Sequence, residues 1–148
     1  MEIREMKLAD VFTVAELESG IFSDAWSVSA CRGAIDNKNI FPFVACDEPG
    51  GKIIGYAFLM GAADEAEILR IAVAKEYRRM GVADALMEKM IRYGSDDGYC
   101  FFYLEVRAGN EPAVSLYQKW GFNPAGQRFD YYKNPPEDAL IMEMALEE

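Results

Sequence analysis

Apolar positions change period several times along the chain, and each change marks an element. Met1–Met6 alternates weakly, as a strand does, whereas Leu8, Val11, Phe12, Ala15 and Leu17 recur at helical spacing and predict an amphipathic helix over residues 8–19. Ser27 stands where it can cap a second short helix ending near Ile35. Phe41–Cys46 and Lys52–Met60 are apolar runs joined by the turn residues Glu48-Pro49-Gly50-Gly51, which predicts a hairpin. Glu65–Ala74 reads as a further strand, residues 83–93 as a helix, and Asp96-Asp97-Gly98 as its break. Tyr99–Arg107 is rich in aromatic and β-branched residues and reads as a buried strand. Asn110 can cap a helix that runs to Lys119, with Gly121 in the place of a C-cap glycine. Two strand-like segments close the chain, Phe122–Tyr132 and Ala139–Leu146, separated by Asn134-Pro135-Pro136. The order β α α β β β α β α β β predicts an α/β (α+β) fold, a mixed sheet with helices on both faces.

Composition narrows what such a fold can do. At 148 residues and 51% hydrophobic, the chain has the size and core content expected of one domain over residues 1–148. Acidic side chains number 25 against 15 basic, a net charge of -10. Nucleic acid is a poor partner for such a surface, because phosphate neutralisation needs a basic face. A cationic partner, an amine or a basic peptide, suits it better, although net charge can also serve solubility alone. Cys31, Cys46 and Cys100 are odd in number and widely spaced, so neither a disulfide framework nor a metal site is expected. The start, MEIREMKLAD, lacks the apolar core of a signal peptide, and the apolar stretch Ile54–Ala63 is too short to span a bilayer. No membrane association is expected, and the expected location is cytoplasmic. The chain contains 0 histidines, which excludes Ser-His and Cys-His nucleophilic machinery and histidine metal ligands. An enzyme built from this chain must take its acid and base from Asp, Glu, Tyr, Lys or Cys.

Against this acidic background, residues 77–91, YRRMGVADALMEKMI, place a basic, glycine-containing turn at the mouth of a helix. A helix N-terminus offers unpaired N–H groups and partial positive charge. Gly81 permits a tight turn and a close backbone approach, and Arg78 and Arg79 add formal charge. The combination suits a diphosphate. The spacing matches neither the phosphate loop G-x-x-x-x-G-K-[ST] nor the dinucleotide turn G-x-G-x-x-G, and on local grounds a solvated loop would read the same way.

The wider stretch from Ile71 to Met87, IAVAKEYRRMGVADALM, resembles the cofactor motif of the GNAT superfamily of N-acetyltransferases: a strand that parts from its neighbour, then [QR]-x-x-G-x-[GA], then a helix. Arg78 stands at the [QR] position, Gly81 at the glycine and Ala83 at the [GA] position; Asp84 departs from the pattern. The segments FSDAWS from Phe22, LEVRAGN from Leu104, AVSLYQKWGF from Ala113 and YYKNPPEDALIM from Tyr131 are similar to the branch that acetylates ribosomal-protein N-termini. Ala25 departs from a proline frequent before Trp26 in that branch. The resemblance implies a mostly antiparallel sheet and acetyl-coenzyme A as acetyl donor, with no metal. Ile71, Ala72, Val73, Arg78, Arg79, Met80, Gly81, Val82, Ala83, Asp84, Asn110 and Tyr117 would then form the cofactor site.

Acetyl transfer from a thioester to an amine needs an acceptor for the amine proton, a donor to the developing oxyanion and an acid for the departing thiolate. In FFYLEVRA, alternation puts Tyr103, Glu105 and Arg107 on one strand face. Glu105 can therefore be a partly buried base or the partner of Arg107 in a structural ion pair. The match to LEVR favours the base. Asn110 and Tyr117 share a helix face. A lone tyrosine there would be read as core, and the resemblance assigns it the acid. It also implies a backbone N–H at Val73 as oxyanion donor. The acceptor, by the same resemblance, is a protein or peptide N-terminus, a ribosomal protein that starts with alanine being the expectation. Its groove would involve Trp26, Tyr131, Tyr132 and Asp138, although such aromatics can equally be core, and strand alternation predicts that only one of the adjacent tyrosines lines it. A small-molecule amine, a lysine side chain and a non-catalytic acetyl-coenzyme A sensor are the rival readings.

Overall fold

The computed structural model describes residues 1–146. In chain order the elements are β1 (Glu2–Glu5), α1 (Val11–Ile21), α2 (Val28–Asp36), β2 (Ile40–Cys46), β3 (Ile53–Ala62), β4 (Glu65–Val73), α3 (Val82–Asp96), β5 (Phe101–Arg107), α4 (Glu111–Lys119), β6 (Asn123–Tyr132) and β7 (Glu137–Ala145). This is the predicted order, with short 3-10 turns added at Leu8–Asp10 and Lys75–Tyr77. The strands form one seven-stranded sheet ordered β1-β2-β3-β4-β5-β7-β6. Among the described residues only the central β4–β5 pair is parallel; α3 forms its crossover.

Local chemistry explains the helix starts. The Ser27 hydroxyl accepts the Ala30 N–H at 3.0 Å and the Asn110 side chain accepts the Ala113 N–H at 3.3 Å, the expected N-caps of α2 and α4. The first helix differs from expectation. The Asp10 carboxylate accepts from Arg4 Nη1 at 2.8 Å and Nη2 at 3.0 Å and from the Lys7 N–H at 2.8 Å, which stabilises the tight turn before α1. That turn resets the helical phase. Leu8 and Phe12, expected to face inward, are exposed, and the inward stripe is Val11, Val14, Ala15 and Glu18.

The sheet separates two cores. On one face Leu86, Met87 and Met90 of α3 and Tyr117 of α4 pack against Phe102, Leu104 and Val106 of β5. On the other, Val14 of α1 and Cys31 and Ala34 of α2 pack against Val44, Tyr56 and Phe58. The helices thus cover both faces, as predicted. Close approach of α3 depends on Gly94, where a Cβ would come within 2.7 Å of the Phe102 ring.

The feature that matters for function is a split at the centre of the sheet. β4 and β5 pair only from Glu65–Ile68 against Phe101–Leu104. Beyond that point β4 continues along β3, and β5 continues along β7 through Glu105–Arg107. The split begins at a bulge. Phe58 faces Arg70 and Leu59 faces Ile68, so Leu69 is an extra residue in β4. A bulge bends its strand, and here it steers β4 away from β5.

Candidate active site

The split opens into a cavity of about 920 Å³ bounded by both strands, the loop before α3, the start of α4 and the α1–α2 connection. On the β4 side, the Ala74 N–H donates to the Ile54 carbonyl at 2.8 Å. The adjacent Gly55–Val73 pair is therefore a non-hydrogen-bonded one, and the N–H and C=O of Val73 face away from β3, into the gap. Arg78 Nε donates to that Val73 carbonyl at 3.2 Å and folds the basic turn back over the end of β4.

The turn itself is built to expose amides. Arg79 (φ 64) and Gly81 (φ 81) are both left-handed and curl the loop into the start of α3. Gly81 is the N-cap and brings no capping side chain, in contrast to Ser27 and Asn110. The first bond into the helix runs from the Ala85 N–H to the Gly81 carbonyl at 3.1 Å, so the amides of Val82, Ala83 and Asp84 have no intrahelical acceptor. A Cβ at Gly81 would meet nothing within 4 Å, so the space above the turn is open to a ligand. The Asp84 carboxylate, which would repel an anion, is turned aside: it accepts from Lys119 Nζ and from Trp120 Nε1, each at 2.9 Å. These bonds hold it below the usual carboxylate range. A row of helix N-terminal amides without intrahelical acceptors at the cavity wall, flanked by two arginines and with its one carboxylate diverted, fits a diphosphate.

Glu105 of β5 and Tyr117 of α4 both line the cavity. Glu105 Oε1 forms an ion pair with Arg128 of β6 at 3.4 Å, while its Oε2 is buried without a hydrogen-bond partner among the described residues. The expected alternative, pairing with Arg107, is not what the structure contains: Arg107 pairs with Glu137 at 3.3 Å. A buried carboxylate oxygen left unsatisfied is costly and uncommon. Burial, with a smaller contribution from Tyr132, pushes the Tyr117 hydroxyl well above its ordinary value, which keeps it protonated across the working range. Glu67, on the same sheet face as Glu105, is raised first by burial and then by the Glu105 charge.

The family model for the acetyltransferase (GNAT) family matches residues 8–122, a span that includes the split strand pair and the turn before α3. The chain belongs to the GNAT family. A Bacillus subtilis (strain 168) protein that provisionally bears the name [ribosomal protein bS18]-alanine N-acetyltransferase is 32% identical over 146 residues, 99% of this chain and 96% of that protein. The crystal structure of the ribosomal-protein-S18-alanine N-acetyltransferase from Escherichia coli superposes with a TM-score of 0.89 at 29% identity, covering 99% of this chain and 94% of that one. Arabidopsis thaliana NAA60 in complex with acetyl-CoA, 20% identical, shares the fold with a TM-score of 0.86 over 97% of each chain.

Within this GNAT site, Ile71, Ala72, Val73, Arg78, Arg79, Gly81, Val82, Ala83, Asp84, Glu105, Asn110, Tyr117 and Tyr132 all border the cavity. Met80 points outward and is 64% exposed. Trp26 lies outside the cavity, its ring packed on Phe58 at 4.8 Å and its N–H bonded to Glu18 at 2.8 Å. Asp138 also stands off the cavity and shapes the hairpin, accepting the Asp130 N–H at 2.8 Å and Gln127 Nε2 at 3.0 Å. Tyr132 borders the cavity and Tyr131, 50% exposed, does not, on a hairpin whose backbone is irregular. Between Arg128 and Tyr132 the β6–β7 register shifts, and Asp130 is left-handed at φ 51. As a result the rings of Tyr131 and Tyr132 meet 5.1 Å apart at 84°, and both feel Glu105. Burial and then that carboxylate raise Tyr131, and push Tyr132 up to about 12.

Arg70 escaped the sequence reading, and Arg107 entered it only as a possible partner of Glu105. Arg70 of β4 binds the fully buried Glu18 through Nε at 2.9 Å and Nη2 at 3.1 Å, and it holds the Asp24 carbonyl at 3.0 Å. Its guanidinium lies 3.9 Å from the Phe22 ring centroid. Glu18 also accepts from the Tyr56 hydroxyl at 2.9 Å. The pair thereby anchors the α1–α2 connection to the sheet. The available signal was an acid on an apolar stripe, since Glu18 follows Val11 by seven positions and Val14 by four. Arg107 of β5 does the equivalent for the β6–β7 turn, with Nη1 on the Pro135 carbonyl and Nη2 on the Lys133 carbonyl, both at 2.9 Å.

Proposed function

We propose that this GNAT protein transfers an acetyl group from acetyl-coenzyme A to the α-amine of a protein N-terminus, an alanine-first ribosomal protein being the acceptor to which the relatives' names point. The observation that carries the reading is the buried Oε2 of Glu105, unpartnered among the described residues, at the lip of the split, with the Tyr117 hydroxyl in the same cavity.

The turn at residues 79–84 holds the diphosphate through its amides, with Arg78 and Arg79 adding charge. Acetyl-coenzyme A supplies an activated acetyl group as a thioester. Glu105 accepts the proton that the amine must lose to attack. The Val73 N–H, directed into the gap, donates to the oxygen that gains charge as the amine adds. Tyr117 holds its proton ready for the departing sulfur. Transfer is direct, in a ternary complex, because none of the three free thiols, the buried Cys31 and Cys46 and the exposed Cys100, borders the cavity.

An α-amine, with a pKa near 7.7–8.0, is about a few hundredfold richer in its neutral form at pH 7 than a lysine amine near 10.4. An alanine-first peptide is therefore expected to react far faster than the same peptide with a blocked N-terminus and one free lysine, as read by mass spectrometry. Equal or faster modification of the blocked peptide would move the assignment to a lysine acetyltransferase. Tyr117→Phe should lower kcat by about 10²–10⁴ with little change in cofactor affinity, and Glu105→Gln by a similar factor. Ping-pong initial rates would sink direct transfer.

A further inference from the structure

The acceptor must enter between two walls. One is the α1–α2 connection, where Phe22, Ser23 and Asp24 border the cavity; the other is the β6–β7 hairpin, represented there by Tyr132. Each wall is held by an arginine from one leg of the split: Arg70 of β4 holds Asp24, and Arg107 of β5 holds the hairpin turn. Arg107 does more than hold its own side. Its guanidinium stacks 4.5 Å from the centroid of the Tyr132 ring, and its Nη2 reaches Ser23 Oγ on the opposite wall at 3.4 Å. Glu137 fixes the guanidinium from behind, with Oε1 on Arg107 Nη1 at 3.3 Å and Oε2 accepting the Gly109 N–H at 2.7 Å. One planar group thus binds two turn carbonyls, a carboxylate, a ring face and the facing wall, with its side chain 21% exposed.

We infer that Arg107 is a positioning residue that sets the width of the acceptor mouth, and through it the selectivity for a small first side chain; this rests on the N-terminal acetyltransferase reading above. The two bonds to the Pro135 and Lys133 carbonyls fix the hairpin turn, the stacking fixes Tyr132 over the entrance, and the long contact to Ser23 limits how far the walls stand apart. A lysine at this position keeps the charge and loses the planar fork, so it cannot bind both carbonyls and the ring at once. The mouth then widens without removal of any group from the reacting centre.

The test compares kcat/KM for two peptides that differ only in the first residue, alanine or leucine, in wild type, Arg107→Lys and Ser23→Ala. The alanine-to-leucine ratio should fall about tenfold in Arg107→Lys and about two- to threefold in Ser23→Ala. KM for acetyl-coenzyme A should stay within about twofold in both, and Ser23→Ala should melt with the wild type. A merely structural role would lower the melting temperature and leave the ratio unchanged at equal folded fraction. If Arg107→Lys does not fold, Ser23→Ala and Glu137→Gln carry the same comparison. A ratio that stays at the wild-type value in the folded variants overturns the inference while leaving the acetyltransferase assignment intact. A wild type that acetylates neither peptide instead refutes the assignment, and the inference with it.

Discussion

Replacing Arg70 by methionine isolates what the buried ion pair contributes. Methionine fills much of the arginine stem's volume but removes both bonds to Glu18, the bond to the Asp24 carbonyl and the contact with the Phe22 ring. Glu18 is 0% exposed and would keep only the Tyr56 hydroxyl and the Trp26 N–H as donors. A buried charge stripped of its partner costs about 3–5 kcal/mol. For a chain of 148 residues the unfolding entropy is about 0.3 kcal/mol/K, so each kcal/mol moves the melting temperature by about 3 °C and the expected drop is about 10–15 °C. Thermal melts of Arg70→Met, Glu18→Met and the double variant complete the cycle. The double variant should be no less stable than Arg70→Met, because the uncompensated charge is gone, although Tyr56 and Trp26 lose an acceptor. A loss below about 1 kcal/mol in Arg70→Met, or a double variant whose loss equals the sum of the singles, would refute the claim that paired charge anchors the α1–α2 wall.

Two further outcomes follow from the same geometry. Gly81→Val should fold, since nothing lies within 4 Å of the added Cβ, but it must strain a β-branched residue at φ 81 and fills the open space above the turn. Its affinity for acetyl-coenzyme A by calorimetry should fall at least about tenfold, or about 1.4 kcal/mol, and unchanged affinity would displace the diphosphate from the turn. Asp10→Asn should cost about 1–3 kcal/mol at pH 7, where the ion pair with Arg4 is intact. Because Arg4 foremost holds the folded Asp10 below its ordinary carboxylate value, this stabilisation is present above pH of about 4 and fades as pH falls through the lower folded value. Urea unfolding of both proteins from pH 7 to pH 3 should show the gap closing, and a constant gap would contradict the linkage.

Much of this architecture was legible in the chain because its causes are local. Period changes, turn residues and the caps at Ser27 and Asn110 act within a few positions, so element order and the basic turn at Gly81 could be read directly. The LEVR segment and the helix with Tyr117 pointed to two residues that the fold brings to one cavity. What the sequence left open are relations between segments far apart in the chain. The bulge at Leu69 depends on the register of β3 against β4, and it decides where the sheet splits. The partners of Glu105 and Arg107 lie on β6 and at the start of β7, so neighbouring charges in LEVR do not pair with each other. Asp138 and the left-handed Asp130 bend β6 so that adjacent tyrosines turn towards one carboxylate. Sequence therefore determined the elements and the basic turn, and through the family resemblance pointed to the candidate acid and base. Only the tertiary structure decided the groove, because charges and aromatics choose their partners through distances that chain spacing does not encode.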